Sequence, residues 1–222
     1  MARPVDEAIR VWDQPLGSSH GRAYLIAGPI VKAQVVIFHG YGQSRAEGIP
    51  MALRLASLGY EIWVPDLPGH GTHPELLSSA SALSLARHCL EAFPMSHAVG
   101  FSLGARLAMA FPFASAVAVS PPGSAAFEGS RSELIRLLRP RNVREQRPFS
   151  GLRETLSALG DRWDSACPTL ALSGTQDLRV VRDFVQQAKR REALPQMDHH
   201  GAWWAPVTQE AIVKWLEYPH DR

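Results

Sequence analysis

Short apolar runs alternate with segments of helical periodicity along most of the chain. The predicted strands are residues 21–27, 34–38, 60–64, 97–101, 115–120 and 169–173. The run 34–38 (QVVIF) gives the strongest signal, because it is continuously apolar and rich in β-branched side chains, as in a strand covered on both faces. The predicted helices are residues 46–58, 79–93, 103–110, 180–192 and 208–217. This alternation predicts an α/β fold with a mostly parallel central sheet flanked by helices.

Residues 121–168 interrupt this alternation. Gly, Pro and Ser residues recur through this stretch, and no part of it predicts a convincing strand. One amphipathic segment, Ser132 to Leu138, predicts a short helix. A connection of this length is uncommon unless it has a structure and a purpose of its own. We therefore expect a single domain spanning residues 1–222, with a short helical lid inserted at about 121–168.

The charge balance and hydrophobicity of the chain limit the kinds of binding partner it is expected to have. The chain has 222 residues with 23 basic and 21 acidic side chains, a balance that argues against nucleic acid or a membrane surface as the main partner. No apolar run approaches the roughly 20 residues that span a bilayer, so no integral membrane association is expected. The first residues are charged and do not resemble a secretory signal.

The two cysteines, Cys89 and Cys167, are too few for a disulfide framework and lack metal-ligand spacing. They are interpreted as reduced thiols of a cytoplasmic protein, with a single disulfide in an exported form as the alternative. We expect neither a metal nor a cofactor.

The segment Gly100-Phe101-Ser102-Leu103-Gly104 fits the pattern G-x-S-x-G. A nucleophilic serine needs a sharp turn between strand and helix, and glycines on both sides let the neighbouring backbone pass close to that turn. A strand is predicted before Ser102 and a helix after it. This context favours Ser102 as a nucleophile over the alternative of a simple helix N-cap.

His39-Gly40-Tyr41-Gly42 follows the strongest predicted strand. Glycines there free the backbone to aim an N–H group into a pocket. The backbone N–H groups of Tyr41 and Leu103 are therefore the predicted donors of an oxyanion hole. The side chain of His39 is expected to satisfy loop carbonyls instead.

A serine nucleophile at neutral pH needs a base, and an acid that orients the base. Asp177 directly follows the predicted strand 169–173, at the end of the sheet where such folds carry their sites. An ordinary helix N-cap is the alternative for Asp177, and Asp183, inside the predicted helix, is a weaker choice of acid. His199 is the predicted base and His200 the alternative. Metal binding by this histidine pair lacks a supporting ligand cluster.

These motifs resemble the α/β-hydrolase superfamily, especially lysophospholipase-like and monoacylglycerol lipase-like esterases. The resemblance runs from about Gln34 to the C-terminus and leaves the lid unmatched. It implies Ser102 as nucleophile, Asp177 as acid, His199 as base, and the Tyr41 and Leu103 amides as oxyanion donors. The motifs that carry it are His39-Gly40-Tyr41-Gly42, Asp66-Leu67-Pro68-Gly69-His70-Gly71, Gly100-Phe101-Ser102-Leu103-Gly104, Gly174-Thr175-Gln176-Asp177 and Pro195-Gln196-Met197-Asp198-His199.

The expected activity is hydrolysis of a small-molecule carboxylic ester through an acyl-enzyme intermediate. Thioester hydrolysis, cleavage of a carbon–carbon bond or a lyase step on the same fold are alternatives, as is a catalytically silent ligand-binding module. Residues 121–153 hold seven arginines and three glutamates, which form either a solvated basic surface or a receptor for an anionic substrate group. Trp203 and Trp204 either line the pocket or pack the last helix. The sequence does not determine the oligomeric state.

Overall fold

The computed structural model describes residues 8–127, 135, 138, 142–160 and 162–218. An eight-stranded sheet runs through the molecule in the order β1-β2-β4-β3-β5-β6-β7-β8. Strand β2 is antiparallel to β1 and β4, and all the other neighbouring strands are parallel. The mostly parallel sheet predicted from the sequence is thus confirmed. Its strands are β1 (Arg10–Pro15), β2 (Arg22–Ala27), β3 (Ala33–Phe38), β4 (Tyr60–Pro65), β5 (His97–Phe101), β6 (Ala116–Val119), β7 (Thr169–Gly174) and β8 (Arg191–Leu194).

Helices cover both faces of the sheet. The described α-helices are α1 (Ile49–Ser57), α2 (Ser79–Ala92), α3 (Leu103–Ala110), α4 (Ser150–Leu159), α5 (Arg179–Val185), α6 (Gly201–Trp204) and α7 (Pro206–Glu217). Short 3-10 helices span Arg45–Gly48 and Ser124–Phe127. Helices α2, α3, α4 and α5 pack on one face, and α1, α6 and α7 on the other. In this part of the chain, no helix combines the length and the apolar composition that crossing a bilayer requires.

Strand β3 shows why its sequence is apolar at successive positions. Val35 and Ile37 contribute to the core beneath α1 and α7, whereas Val36 and Phe38 contribute to the core beneath α2 and α3. All four side chains are fully buried. Successive side chains of a strand point to opposite faces, so a central strand between two helical layers needs an apolar residue at every position.

Two edge strands were not predicted. Strand β1 pairs with β2 along its whole length, yet five of its six residues are exposed, so it carries no hydrophobic alternation. Strand β8 occupies residues that the pattern assigned to the end of a helix over 180–192. That helix, α5, ends at Val185, and residues 191–194 pair with β7 instead. Three of the four β8 residues are exposed, so this strand depends on backbone pairing rather than on a side-chain pattern.

The insertion at 121–168 contains α4, which the sequence interpretation missed although Leu152, Thr155 and Leu156 are buried at helical spacing. The predicted helix from Ser132 to Leu138 lies outside the described residues, except for Ile135, which is helical, and Leu138, which is buried in the core. Arg106 of α3 donates hydrogen bonds to the carbonyl oxygens of Pro122, Leu159 and Gly160. The nucleophile-bearing turn and both ends of the insertion therefore belong to one packed unit.

Candidate active site

The predicted site residues gather at one edge of the sheet. Tyr41 follows β3, Ser102 follows β5, Asp177 follows β7 and His199 follows β8. Because these strands are parallel, their carboxyl ends lie at the same edge, as the pairing of Phe38 with Gly100 illustrates. Residues that are widely separated in the chain are thus brought together by the sheet.

The backbone at Ser102 is held in an unusual conformation. Its φ is 52° and its ψ is −114°, in a region that a residue with a side chain rarely adopts, and α3 begins at the next residue. A Cβ atom at position 100 would lie 2.2 Å from the carbonyl oxygen of Gly104, and one at position 104 would lie 2.2 Å from that of Phe38. Both glycines are therefore required for the close passage of strand and helix around this turn.

His199 lies between Ser102 and Asp177. Its Nε2 atom is 3.2 Å from the Ser102 hydroxyl oxygen, and its Nδ1 atom is 2.9 Å from Oδ1 of Asp177. All three residues are buried, with 2 to 4% of their surface exposed. In the neutral tautomer with a proton on Nδ1, the imidazole donates to the carboxylate and accepts the serine hydroxyl proton at Nε2. This arrangement can transfer a proton from the hydroxyl.

His200 takes a different position. Its side chain is exposed, and its ring centre lies 5.7 Å from that of His199. The structure gives it no hydrogen bond to Ser102 or Asp177, two residues that it describes in full. Asp183, the weaker choice of acid, forms an ion pair with Arg179 at 3.4 Å on the exposed side of α5. The structure thus joins His199 and Asp177 to Ser102 by hydrogen bonds. His200 and Asp183 do not belong to this hydrogen-bonded chain.

The loops that carry Asp177 and His199 are bonded to each other. The Gln176 N–H donates to the Met197 carbonyl oxygen, and the Gln196 N–H donates to the Thr175 hydroxyl, both at 2.9 Å. A Cβ atom at Gly174 would lie only 1.9 Å from the Met197 carbonyl oxygen. Glycine at this position therefore allows the close approach that brings the carboxylate to the imidazole.

Ser120 also contacts Asp177, and the sequence interpretation missed it. Its hydroxyl donates a 2.5 Å hydrogen bond to Oδ2 of the carboxylate, while Oδ1 accepts bonds from His199 and from the Leu178 N–H. Ser120 is the first residue after β6, so its place at a strand end next to β7 was the available signal.

Among the described residues, the backbone N–H groups of Tyr41 and Leu103 are not seen to donate a hydrogen bond, and Leu103 is the first residue of α3. Two buried histidines hold the loop that presents the first of them. Nε2 of His39 accepts the Leu67 N–H, and Nε2 of His70 accepts the Gly42 N–H, both at 3.0 Å. His39 also donates to the Gly40 carbonyl oxygen through Nδ1 at 2.8 Å.

Burial lowers the pKa of His39 to about 4 and the pKa of His70 to about 3. Both side chains are therefore neutral near pH 7, and each accepts an amide proton through its unprotonated nitrogen. They act as parts of the loop scaffold. The nearby Asp66 carboxylate accepts hydrogen bonds from the backbone N–H groups of Arg45 and Thr72. Asp66 therefore also stabilises the loop backbone.

The side chain of Tyr41 points toward the insertion. Its hydroxyl donates a hydrogen bond to the Glu145 carboxylate, and its ring stacks on Phe149 with 5.7 Å between ring centres. Burial, followed by the neighbouring Glu145 carboxylate, raises the pKa of Tyr41 above its usual value. The phenol therefore stays protonated and acts as a donor.

The basic residues of the insertion are only partly described. The Arg144 guanidinium donates a hydrogen bond to the backbone carbonyl oxygen of His73. This arginine is therefore bound to the protein backbone. Arg131, Arg136, Arg139 and Arg141 lie outside the described residues. Trp203 is buried in the core and donates to the Glu47 carbonyl oxygen at 3.3 Å, whereas Trp204 is exposed. Over the described ranges, no group of three or more His, Cys, Asp or Glu side chains has an arrangement that could hold a metal ion.

Comparisons with known proteins give the fold a family context. Residues 35–222 match the family model described as the alpha/beta hydrolase family. A thermophilic esterase from Thermogutta terrifontis superimposes with a TM-score of 0.59 at 18% identity, covering 93% of this chain and 98% of that one. Carboxylesterase CesB from Bacillus subtilis gives 0.62 at 13% identity, with 96% and 93% covered.

A thioesterase domain from the curacin biosynthetic pathway is similar to the same extent. Its TM-score is 0.62 at 18% identity, and the match covers 93% of this chain and 99% of that one. A comparison with curated protein sequences finds no match. At these identities the similarity concerns the fold.

Proposed function

Because the chain belongs to the alpha/beta hydrolase family, we propose that it is a serine hydrolase that cleaves carboxylic esters through an acyl-enzyme intermediate. The observation that carries the proposal is the pair of hydrogen bonds that links Ser102 to His199 and His199 to Asp177. A hydroxyl, an imidazole and a carboxylate in this order form the constellation that activates serine on several unrelated folds.

In the proposed reaction, the Ser102 oxygen attacks the ester carbonyl while His199 takes the hydroxyl proton. Asp177 holds the imidazole in the required tautomer and stabilises the imidazolium. The backbone N–H groups of Tyr41 and Leu103 bind the oxyanion of the tetrahedral intermediate. His199 then protonates the departing alcohol. A water molecule, deprotonated by the same imidazole, then attacks the acyl carbonyl. The bond between the acyl carbon and the Ser102 oxygen breaks, the imidazole returns its proton to that oxygen, and the acid leaves.

The insertion packs against the residues that carry the proposed oxyanion donors. Leu138, Leu152 and Leu156 of the insertion belong to the same buried cluster as the side chains of Tyr41 and Leu103. We therefore propose that the insertion at 121–168 acts as a lid over a small-molecule ester. The lysophospholipase-like or monoacylglycerol lipase-like subtype and the cytoplasmic location stay predictions of the sequence.

Thioester hydrolysis is the second candidate function. The same serine, imidazole and oxyanion donors serve an acyl thioester, and one of the similar folds is named a thioesterase domain. A panel that sets p-nitrophenyl esters of increasing chain length beside acyl-CoA thioesters separates the two. Higher kcat/KM on the esters supports the first function, and higher kcat/KM on the thioesters supports the second.

The test of the nucleophile combines labelling with kinetics. We expect a fluorophosphonate probe to label Ser102 in the wild-type protein and to leave Ser102→Ala unlabelled. We also expect Ser102→Ala to lower kcat on the best ester by about 10³-fold or more, since the triad acts as a unit. Ser96→Ala is the matched control, because the Ser96 hydroxyl is buried and has no hydrogen-bond partner among the described residues. Hydrolysis retained in Ser102→Ala would refute the proposal.

A further inference from the structure

We propose that Ser120 is a positioning residue for the reaction, which orients the carboxylate of Asp177 and, through it, the imidazole of His199. The inference rests on the proposed function and goes beyond it by adding a fourth side chain to the three that the sequence indicated. Ser120 and Asp177 are both buried, and they lie 57 residues apart in the chain.

The two oxygens of the Asp177 carboxylate have different partners. Oδ1 accepts the bond from His199 and a second bond from the Leu178 N–H at 2.7 Å. Oδ2 accepts a hydrogen bond from the Ser120 hydroxyl at 2.5 Å, and within the described part of the chain Ser120 is the donor to this oxygen. Rotation of the carboxylate would break bonds at both oxygens. The Ser120 hydroxyl therefore keeps Oδ1 directed at the imidazole.

The cost of losing this bond is large because both of its partners are buried. A carboxylate oxygen that is buried without a donor retains its desolvation penalty, and hydrogen bonds to an ionised acceptor are roughly twice as strong as those between neutral groups. Without the Ser120 hydroxyl, the carboxylate stays beside the imidazole, but Oδ2 is no longer held by a donor from the described residues. The orientation of Oδ1 toward Nδ1 is then less well fixed, and with it the imidazole tautomer.

The backbone of Ser120 is held in a strained conformation at the end of β6. Its φ is 52°, in the left-handed region that non-glycine residues rarely adopt. The Ser120 N–H is bonded to the Leu172 carbonyl oxygen at 2.7 Å, which fixes the conformation against β7. Such strain at a non-glycine residue persists where the surroundings impose it, and it concentrates at functional sites.

The same strand end also supports the nucleophile. The Ser102 N–H donates to the carbonyl oxygen of Val119, the residue before Ser120, at 2.9 Å. Strand β6 lies between β5 and β7, so its end touches both the serine turn and the aspartate loop. The geometry thus places the Ser120 hydroxyl on a rigid support that is shared by two of the three reacting groups.

A hydroxyl that donates to the carboxylate also withdraws negative charge from it. Once that hydroxyl is removed, the carboxylate faces His199 with its full charge and stabilises the imidazolium form of the base. We therefore expect the acidic limb of the kcat/KM profile to move upward in variants without the hydroxyl. A purely structural role for Ser120 would not move this limb.

Two variants separate the hydroxyl from the backbone strain. Ser120→Ala removes the hydroxyl and keeps the strained φ, whereas Ser120→Gly removes the hydroxyl and relieves the strain. We expect both to lower kcat by about 10- to 100-fold with a KM change of less than about threefold, because a small misplacement of the base affects the transition state and not the binding of the ester. Both should also raise the pH at which kcat/KM is half-maximal, while Ser96→Ala changes neither quantity.

The readout includes fluorophosphonate labelling of Ser102, normalised to the folded fraction from circular dichroism. Slower labelling in both Ser120 variants, with the shifted pH profile, supports the proposal. Wild-type kcat and an unmoved acidic limb in Ser120→Gly would overturn it, even if Ser120→Ala is impaired, since only the backbone would then matter. Absence of labelling in the wild-type protein would instead refute the proposed function, and the role of Ser120 with it.

Discussion

The hydroxyl of Tyr41 donates a hydrogen bond to the carboxylate of Glu145, a residue that lies 104 positions further along the chain. Tyr41 belongs to the loop after β3 that presents a proposed oxyanion donor, and Glu145 belongs to the insertion. The same carboxylate accepts the N–H groups of Phe149 at 2.5 Å and Gly151 at 2.9 Å, just before and within the start of α4. One acidic side chain therefore connects the insertion to the loop beside the nucleophile.

Loss of this connection should weaken catalysis without abolishing it. We expect Tyr41→Phe to lower kcat/KM by about 3- to 10-fold, because the loop loses one of its anchors while the ring and the backbone amide remain. Glu145→Gln keeps an acceptor and should have the smaller effect. In a double-mutant cycle, Tyr41→Phe and Glu145→Ala should show coupling. Strictly additive losses would mean that the contact has no role in activity.

The two adjacent histidines should differ sharply in their effect on activity. We expect His199→Ala to lower kcat by about 10³-fold or more, since the hydroxyl then lacks a base. His200→Ala is the matched control, because His200 is exposed and lies outside the hydrogen-bonded chain. Its kcat should stay within about fivefold of the wild type. The reverse order of losses would transfer the role of base to His200.

The close approach at Gly174 should be sensitive to a single methyl group. We expect Gly174→Ala to push apart the loops that carry Asp177 and His199, with about 1–3 kcal/mol of destabilisation and a larger loss of kcat than of stability. Gly28→Ala is the control, since a Cβ atom there meets its nearest neighbour, the Ala56 carbonyl oxygen, at 3.4 Å. Kinetics and thermal melts of both variants test this. Equal effects of the two substitutions would contradict it.

Acid should destabilise the protein through its buried neutral histidines. The pKa of His39 is lowered to about 4 and that of His70 to about 3 by burial, from an ordinary value of 6.5. Below pH 6.5 the unfolded chain binds protons that the folded chain rejects, so the free energy of unfolding falls by about 1.4 kcal/mol per pH unit for each group. This loss extends down to about pH 4 for His39 and about pH 3 for His70.

Urea unfolding of the wild type and of His70→Gln, at about pH 7.5 and about pH 5.5, measures the contribution of one histidine. The glutamine amide oxygen can still accept the Gly42 N–H, and it does not titrate. We expect the variant to lose about 1 kcal/mol less than the wild type between the two pH values. An identical loss in both proteins would show that His70 is not held neutral in the folded state.

Local patterns predicted the strands and helices of the buried core well. Strands β3 and β5 and helix α3 are marked by continuous apolar or small residues, and their bounds agree with the predictions to within a residue. Strands β1 and β8 were missed because most of their side chains are exposed, so their sequences carry no hydrophobic alternation. Edge strands form through backbone pairing with a neighbour, and that neighbour is distant in the chain.

The sequence by itself determined the types of residue present at the candidate site and their order, because the tight turn at Ser102 demands glycines and a serine at defined spacing. Only the tertiary structure decided which histidine faces the hydroxyl, which loop the insertion is bonded to, and that Ser120 reaches Asp177. The reason is physical: a hydrogen bond between side chains requires its atoms to come within about 3 Å, and such approaches between distant segments follow from sheet register and loop packing, which no local pattern encodes.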